Sequence, residues 1–274
     1  MDPRHVSDVR NRPLILFLCY LNALAWSLPS ATIAAEPSYA NKSLSTWLKA
    51  YQDAQSGSAA ERQSQQALRS IGTNGIPYLL KMLAQDDLNT QQAAANTFEV
   101  LGPIGAPAVP QLAKMLTDTN PVIGLLAGTA LGNIGPPALP SLMDALTNRH
   151  YGVGTRAALA IVKLGTNAAP ALPIFLRDLK SPNHFVRERA ADALGNLHIE
   201  PATVVPALTN LFDDVSPAAV CLSLQSLAAF ETEARFVAPA IKSMFKDPNE
   251  NVRAAATIAL ERIAPDLLTN SPAQ

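Results

Sequence analysis

Phe185-Val-Arg-Glu-Arg-Ala-Ala-Asp-Ala-Leu-Gly-Asn-Leu197 is the stretch whose reading decides the fold. Its apolar or small residues are Val186, Ala190, Ala193, Leu194 and Leu197. Their spacing of four, three, one and three gathers them on one face of a helix with about 3.6 residues per turn. Arg187, Glu188 and Asp192 fall on the other faces, and Ser181-Pro182-Asn183 supplies a turn and cap ahead of the helix.

The pattern recurs along the chain. Pairs at Ile71-Gly72, Ile104-Gly105, Ile134-Gly135, Leu164-Gly165, Leu197-His198, Phe230-Glu231 and Ile263-Ala264 step by 33, 30, 30, 33, 33 and 33 residues. Four residues before the second member of each pair stand Leu68, Leu101, Leu131, Ile161, Leu194, Leu227 and Leu260. A second element repeats with the first: Pro77, Pro110, Pro140, Pro173, Pro206 and Pro239. Two residues after each comes Leu79, Leu112, Leu142, Phe175, Leu208 or Ile241, and six after comes Leu83, Leu116, Leu146, Leu179, Phe212 or Phe245. Proline suits the first turn of a helix, where its missing N–H leaves no bond unmade. Each unit is therefore predicted as helix A, a Gly/Ala/Pro turn, helix B and a polar turn. Neither helix buries its apolar face alone, so the units must stack.

The segments Arg187–Leu197 and Asp247-Pro-Asn-Glu-Asn-Val-Arg-Ala-Ala-Ala-Thr-Ile-Ala-Leu260 resemble HEAT repeats, and the short period resembles the phycobilisome-lyase-like subtype. The Thr-Pro-Leu-His of ankyrin repeats and the spaced Trp, Gly and Tyr of tetratricopeptide repeats are not found. The resemblance covers about residues 44–265 and implies an all-α solenoid of stacked antiparallel helix pairs, about six full repeats with capping helices at both ends. Leu44, Trp47, Leu48 and Tyr51 have helical spacing and read as the N-terminal cap. Pro265–Gln274 lacks a further proline helix, so residues 266–274 read as a frayed tail.

Residues 1–35 read as a secretory signal. Arg4, Arg10 and Arg12 precede the apolar run Leu14–Leu28, and small residues follow, with cleavage near Ala34/Ala35. The run falls short of the ~20 residues of a spanning helix. The expected location is therefore periplasmic or extracellular, the alternative being a membrane tether by an uncleaved segment. Residues 36–43 read as a polar linker. Removing residues 1–35 takes away three Arg and two Asp, leaving 18 basic and 20 acidic residues. The full chain carries a formal net charge of −1, which gives no basic footprint for nucleic acid. Cys221 is then the only cysteine, so no internal disulfide forms; it reads as a packing residue. Gly124, Gly128, Gly152 and Gly154 lower helix propensity, and the third and fourth units are expected to be the least rigid. Asp178 with Arg187, and Asp247 with Arg253, are expected to tie adjacent turns.

No catalytic constellation emerges. There is no His-Glu-x-x-His, no paired cysteines at zinc spacing, no Gly-x-Ser-x-Gly and no phosphate loop. HEAT-like deoxyhypusine hydroxylases bind iron through adjacent His-Glu pairs; here His198-Ile-Glu200 is the nearest approach and has the wrong spacing. No cofactor or metal is expected. The reading is a non-catalytic exported scaffold for protein or peptide; the alternatives are an enzyme or enzyme subunit of the HEAT-like lyase or hydroxylase type, or a structural envelope protein. In the stacks this chain resembles, helices B line the concave side. The first and fourth residues after each proline would face outward there: Tyr78/Lys81, Gln111/Lys114, Ser141/Asp144, Ile174/Arg177, Ala207/Asn210 and Ala240/Ser243. Tyr78, Lys81, Lys114 and Arg177 are the expected contacts for an acidic peptide or protein segment; the other reading of the same row is an ordinary solvated face.

Overall fold

The computed structural model describes residues 35–148 and 150–269; the expected signal segment, its cleavage site and the end of the tail lie outside them. Residues 37–269 belong to one compact unit. Its helices are α1 (Leu44–Asp53), α2 (Ala59–Ile71), α3 (Ile76–Leu83), α4 (Leu88–Leu101), α5 (Val109–Met115), α6 (Pro121–Ile134), α7 (Leu139–Leu146), α8 (Tyr151–Val162), α9 (Leu172–Asp178), α10 (His184–Leu197), α11 (Pro201–Thr209), α12 (Pro217–Ala229), α13 (Ala238–Ser243), α14 (Glu250–Ile263) and α15 (Asp266–Thr269). The even-numbered helices α2 to α14 are the helices A, and the odd-numbered α3 to α13 are the helices B.

Local chemistry sets the helix starts. Ser58, Asp87, Asn120, Asn183, Ser216 and Asn249 each accept a backbone N–H of the first turn of α2, α4, α6, α10, α12 and α14. Such a cap contributes about 1 kcal/mol. Proline occupies the first turn of every helix from α3 to α13 in the B row. In α11 that proline is Pro201, and Pro206 lies inside the helix rather than opening it. The columns after the prolines are core: Leu79, Leu112, Leu142, Phe175, Leu208 and Ile241 are all buried.

The structure corrects the register of the second unit. Gly72, Gly102 and Gly135 have positive φ, and their N–H groups bond to the carbonyls of Leu68, Phe98 and Leu131. Gly102, not Gly105, is therefore the helix-ending residue. Phe98 fills the buried column in place of Leu101, and Ile104 is 44% exposed. His198 and Glu231 stand at the equivalent places in later units, also at positive φ. With that register the repeat becomes regular: 25 residues separate Pro77 from Gly102, Pro110 from Gly135, Pro140 from Gly165, Pro173 from His198 and Pro206 from Glu231. Only the step from helix end to proline varies. It is five residues at Gly72 and Gly135, and eight at Gly102, Gly165, His198 and Glu231. The extra three residues make one further tight turn, as in the 3₁₀ segment Gly102–Ala108.

Two ends differ from expectation. Within the expected linker, Ser38–Tyr39 and Lys42–Ser43 pair antiparallel around Ala40 and Asn41, both at positive φ. The hairpin is fastened to α1: Trp47, buried, donates its Nε1–H to the Tyr39 carbonyl at 2.9 Å, and Lys42 Nζ lies 4.7 Å from the indole centroid. At the other end, Asp266–Thr269 is a short helix held by a bidentate Arg235–Asp266 pair at 2.6 and 2.7 Å.

The even-numbered helices lie directly against their even-numbered neighbours along the row, whereas the odd-numbered helices make far less contact with one another. The closely packed row of helices A is termed the inner layer and the looser row of helices B the outer layer. Small residues permit this crowding. A Cβ on Gly195 of α10 would lie 2.7 Å from the Ser226 Cα of α12, and Ser226 Oγ donates to the Ala191 carbonyl at 2.8 Å. Gly132 meets the Ala160 Cα in the same way. Gly124, Gly128 and Gly154 are also buried contact points, so the glycines expected to loosen the middle units are where those units approach most closely. Gly152 faces open space.

These two kinds of glycine predict opposite outcomes. Gly195→Ala forces the backbones of α10 and α12 apart and should lower stability by about 1–3 kcal/mol. Gly152→Ala meets nothing and should raise it by up to about 1 kcal/mol through helix propensity. Chemical denaturation of both variants checks the pair of signs.

Candidate functional site: a groove on the inner helix layer

Arginines repeat a structural device between units. Arg156 of α8 passes over Gly124 of α6 and donates to the Leu116 carbonyl at 2.9 Å. Arg189 of α10 passes over Gly154 of α8 and reaches the Leu146 carbonyl at 3.5 Å and Asp178 at 3.0 Å. Both target carbonyls lie at the C-terminal ends of helices B, where the helix dipole favours a cation. Only glycine leaves room for the guanidinium. Arg189 is buried, and its Nε–H has no acceptor among the described residues.

The expected ion pairs re-partner. Asp178 binds Arg177 at 2.8 Å and Arg189, not Arg187. Arg187 instead forks onto Asp214, in the polar turn that follows α11, at 2.5 and 2.6 Å and also donates to the Ser181 carbonyl. Arg253 donates to the backbone carbonyls of Asp247 and Pro248 rather than to the Asp247 carboxylate. Asp214 also accepts the Ser216 N–H, Ser216 Oγ donates to Glu188 at 2.8 Å, and His184 Nδ1 stands 2.9 Å from the same Glu188 oxygen. This network orients Glu188 on the inner face of α10.

Glu188 lines a cavity of about 230 Å³ between α8 and α10, which Leu222 of α12 also borders. Tyr151, Leu159 and Val162 supply its apolar side, and Asp192 stands beside Glu188 one turn on. Around it, large apolar side chains face solvent on three consecutive inner helices: Leu125 on α6, Tyr151 and Leu159 on α8, and Phe185 on α10, each between 42% and 52% exposed. Tyr151 and Phe185 are in ring contact at 5.3 Å, and His184 packs tilted against Phe185 with ring centroids 3.9 Å apart. Sequence reading missed this groove. Its residues were scattered through helices read for their buried faces, and the signal was the apolar residues left over on the opposite face.

The residues expected to contact an acidic partner stand on the other helix layer. Tyr78, Lys81, Lys114 and Arg177 sit on α3, α5 and α9, in the sparsely packed layer rather than the inner one. Lys81 and Lys114 are exposed in the last turn of their helices, Tyr78 is half-buried against the core, and Arg177 folds onto Asp178. Their position at helix C-termini suits the dipole. Cys221 is half-buried on α12 with its thiol pKa pushed up by burial, which disfavours the reactive thiolate. Among the described residues no cluster of three His, Cys, Asp or Glu side chains is placed to hold a metal, and no helix is long and apolar enough to cross a membrane.

HEAT repeats match this chain over residues 76–161, 109–195 and 172–261. These spans cover more than half of it, and the chain belongs to the HEAT-repeat family. Among solved structures it is similar to the complex of CpcE and CpcF of phycocyanin lyase from Nostoc sp. PCC7120, at 23% identity and a TM-score of 0.50, over 56% of this chain and 98% of that one. It is also similar to an engineered protein from the Northeast Structural Genomics Consortium, at 22% identity and a TM-score of 0.42, over 70% of this chain and 98% of that one. No curated protein matches it. The likeness to the lyase complex is one of fold: an all-α solenoid built from HEAT-like repeats.

The network predicts an acid dependence. Hydrogen bonding from Arg187 holds Asp214 below the usual carboxylate range, against the opposing effect of burial. A depressed carboxylate stabilises the fold above the unfolded-state value, and that contribution is lost as pH falls through the folded-state value. Asp214→Asn should therefore cost about 2 kcal/mol at neutral pH, somewhat less than full loss of a buried partner. Its denaturation midpoint should converge on that of the wild type as pH falls below about 4.

Proposed function

We propose that the protein is a non-catalytic, exported scaffold that binds a protein or peptide partner along its inner helix layer. The observation that carries this reading is the run of solvent-facing Leu125, Tyr151, Leu159 and Phe185 across α6, α8 and α10. Contiguous exposed apolar side chains beside a concavity favour a binding surface. HEAT-repeat solenoids suit such work because stacking presents one helix from every unit on a common face. The polar groups at the groove support binding over chemistry: Glu188 is engaged by Ser216 and His184, and Arg189 by Asp178.

Immobilised wild-type protein should capture a partner from native extract that Leu159→Glu does not, while Lys81→Glu/Lys114→Glu still does. Leu159 is half-exposed, so its replacement should leave the thermal midpoint nearly unchanged, within about 0.5 kcal/mol. Loss with the lysine variant and retention with Leu159→Glu would move the site to the Lys81–Lys114 row. Indifference to both would sink the inner-face reading.

Export rests on the arginines and the Leu14–Leu28 run ahead of Ala34 and Ala35. N-terminal sequencing of the protein from the exported fraction should begin next to Glu36. Intact residues 1–35 in a membrane fraction would instead establish a tether.

A further inference from the structure

The groove between α8 and α10 has a polarity that the sequence did not suggest. We propose that it takes a linear peptide segment carrying an apolar side chain next to a lysine or arginine, rather than an acidic segment. The inference rests on the scaffold reading and names the partner's chemistry.

Three observations carry it. First, size: at about 230 Å³ the cavity falls below the roughly 300–1,000 Å³ of pockets that enclose small molecules, and it suits one anchoring side chain. Second, half of its lining is apolar or aromatic: Tyr151, Ala158, Leu159, Val162 and Leu222. An aliphatic or aromatic anchor placed there removes apolar surface from water on both partners. Third, charge. Glu188 and Asp192 lie one helical turn apart on α10 and both border the cavity. Asp192 is exposed, with one oxygen taking the Asn196 amide at 3.0 Å and no cation paired to it among the described residues. Glu188 is mostly buried and is answered by Ser216, His184 and the nearby charge of Arg187, and Arg189 is buried and already bound to Asp178. Asp192 is therefore the carboxylate that presents negative charge to solvent beside an apolar recess, which is complementary to a cation adjoining an apolar anchor and repels an acidic segment.

Two labelled hexapeptides test the idea against the full chain by fluorescence anisotropy: one alternating leucine and arginine, the other alternating leucine and glutamate. The leucine–arginine peptide is expected to bind, to weaken at least tenfold on Asp192→Lys, and to weaken similarly on Leu159→Glu; the leucine–glutamate peptide is expected not to bind the wild type. Circular dichroism of each variant confirms that the fold is retained. Equal binding of the two peptides, or leucine–arginine binding indifferent to both substitutions, overturns the proposal. A concentration-dependent dimer in sedimentation, abolished by Leu159→Glu, overturns it in favour of a second copy of this chain as the occupant. If the leucine–arginine peptide fails while Leu159→Glu still abolishes partner capture, the basic–apolar assignment fails and the scaffold reading stands.

Discussion

The structure depends on how closely neighbouring helices A approach. Where Gly195 faces Ser226 and Gly132 faces Ala160, the helices pack closely because the glycines carry no side chain. That proximity lets Ser226 Oγ reach the Ala191 carbonyl, and it crowds the even-numbered helices into one layer. The odd-numbered helices, carrying Leu, Ile and Phe at the second and sixth places after each proline, occupy the other layer and fill the space behind. Small residues on one layer and large on the other set which side is inner.

The same constraint places the arginines. A glycine on one helix A leaves a gap that the guanidinium from the next unit fills, and the guanidinium then satisfies carbonyls at the end of a helix B. Arg187 and Asp214 tie α10 to the polar turn after α11. The arginine–carbonyl bonds cross between repeats and so reinforce stacking. With Arg189 drawn inward to Asp178, Asp192 is left as the exposed carboxylate bordering the groove. A packing solution thus leaves a charged recess on the inner layer.

Much of the architecture could be read from residue spacing. The 3.6-residue periodicity of Phe185–Leu197, the recurring prolines and the apolar columns behind them identified alternating helices that must stack. The register of the second unit was misread for a physical reason: a shift of three residues is close to one helical turn, so Leu101 and Gly105 mimic the face occupied by Phe98 and Gly102. The backbone separates the two alternatives, because the helix-ending glycine is the one with positive φ whose N–H returns to the carbonyl four residues back.

The sequence by itself determined the helix pairs, their turns, the buried columns and the repeating stack, because these follow from contacts within about 33 residues and from the period of the apolar pattern. Tertiary structure alone decided which layer is inner, which carboxylate each arginine takes, and where apolar side chains converge on solvent. Asp178 lies nearer to Arg187 in sequence than Asp214 does, yet Arg187 binds Asp214 across 27 residues, since the fold brings the turn after α11 alongside it. Tyr151, Leu159, Glu188 and Leu222 come from three helices and share no local pattern; only the packing of one unit on the next makes them a groove.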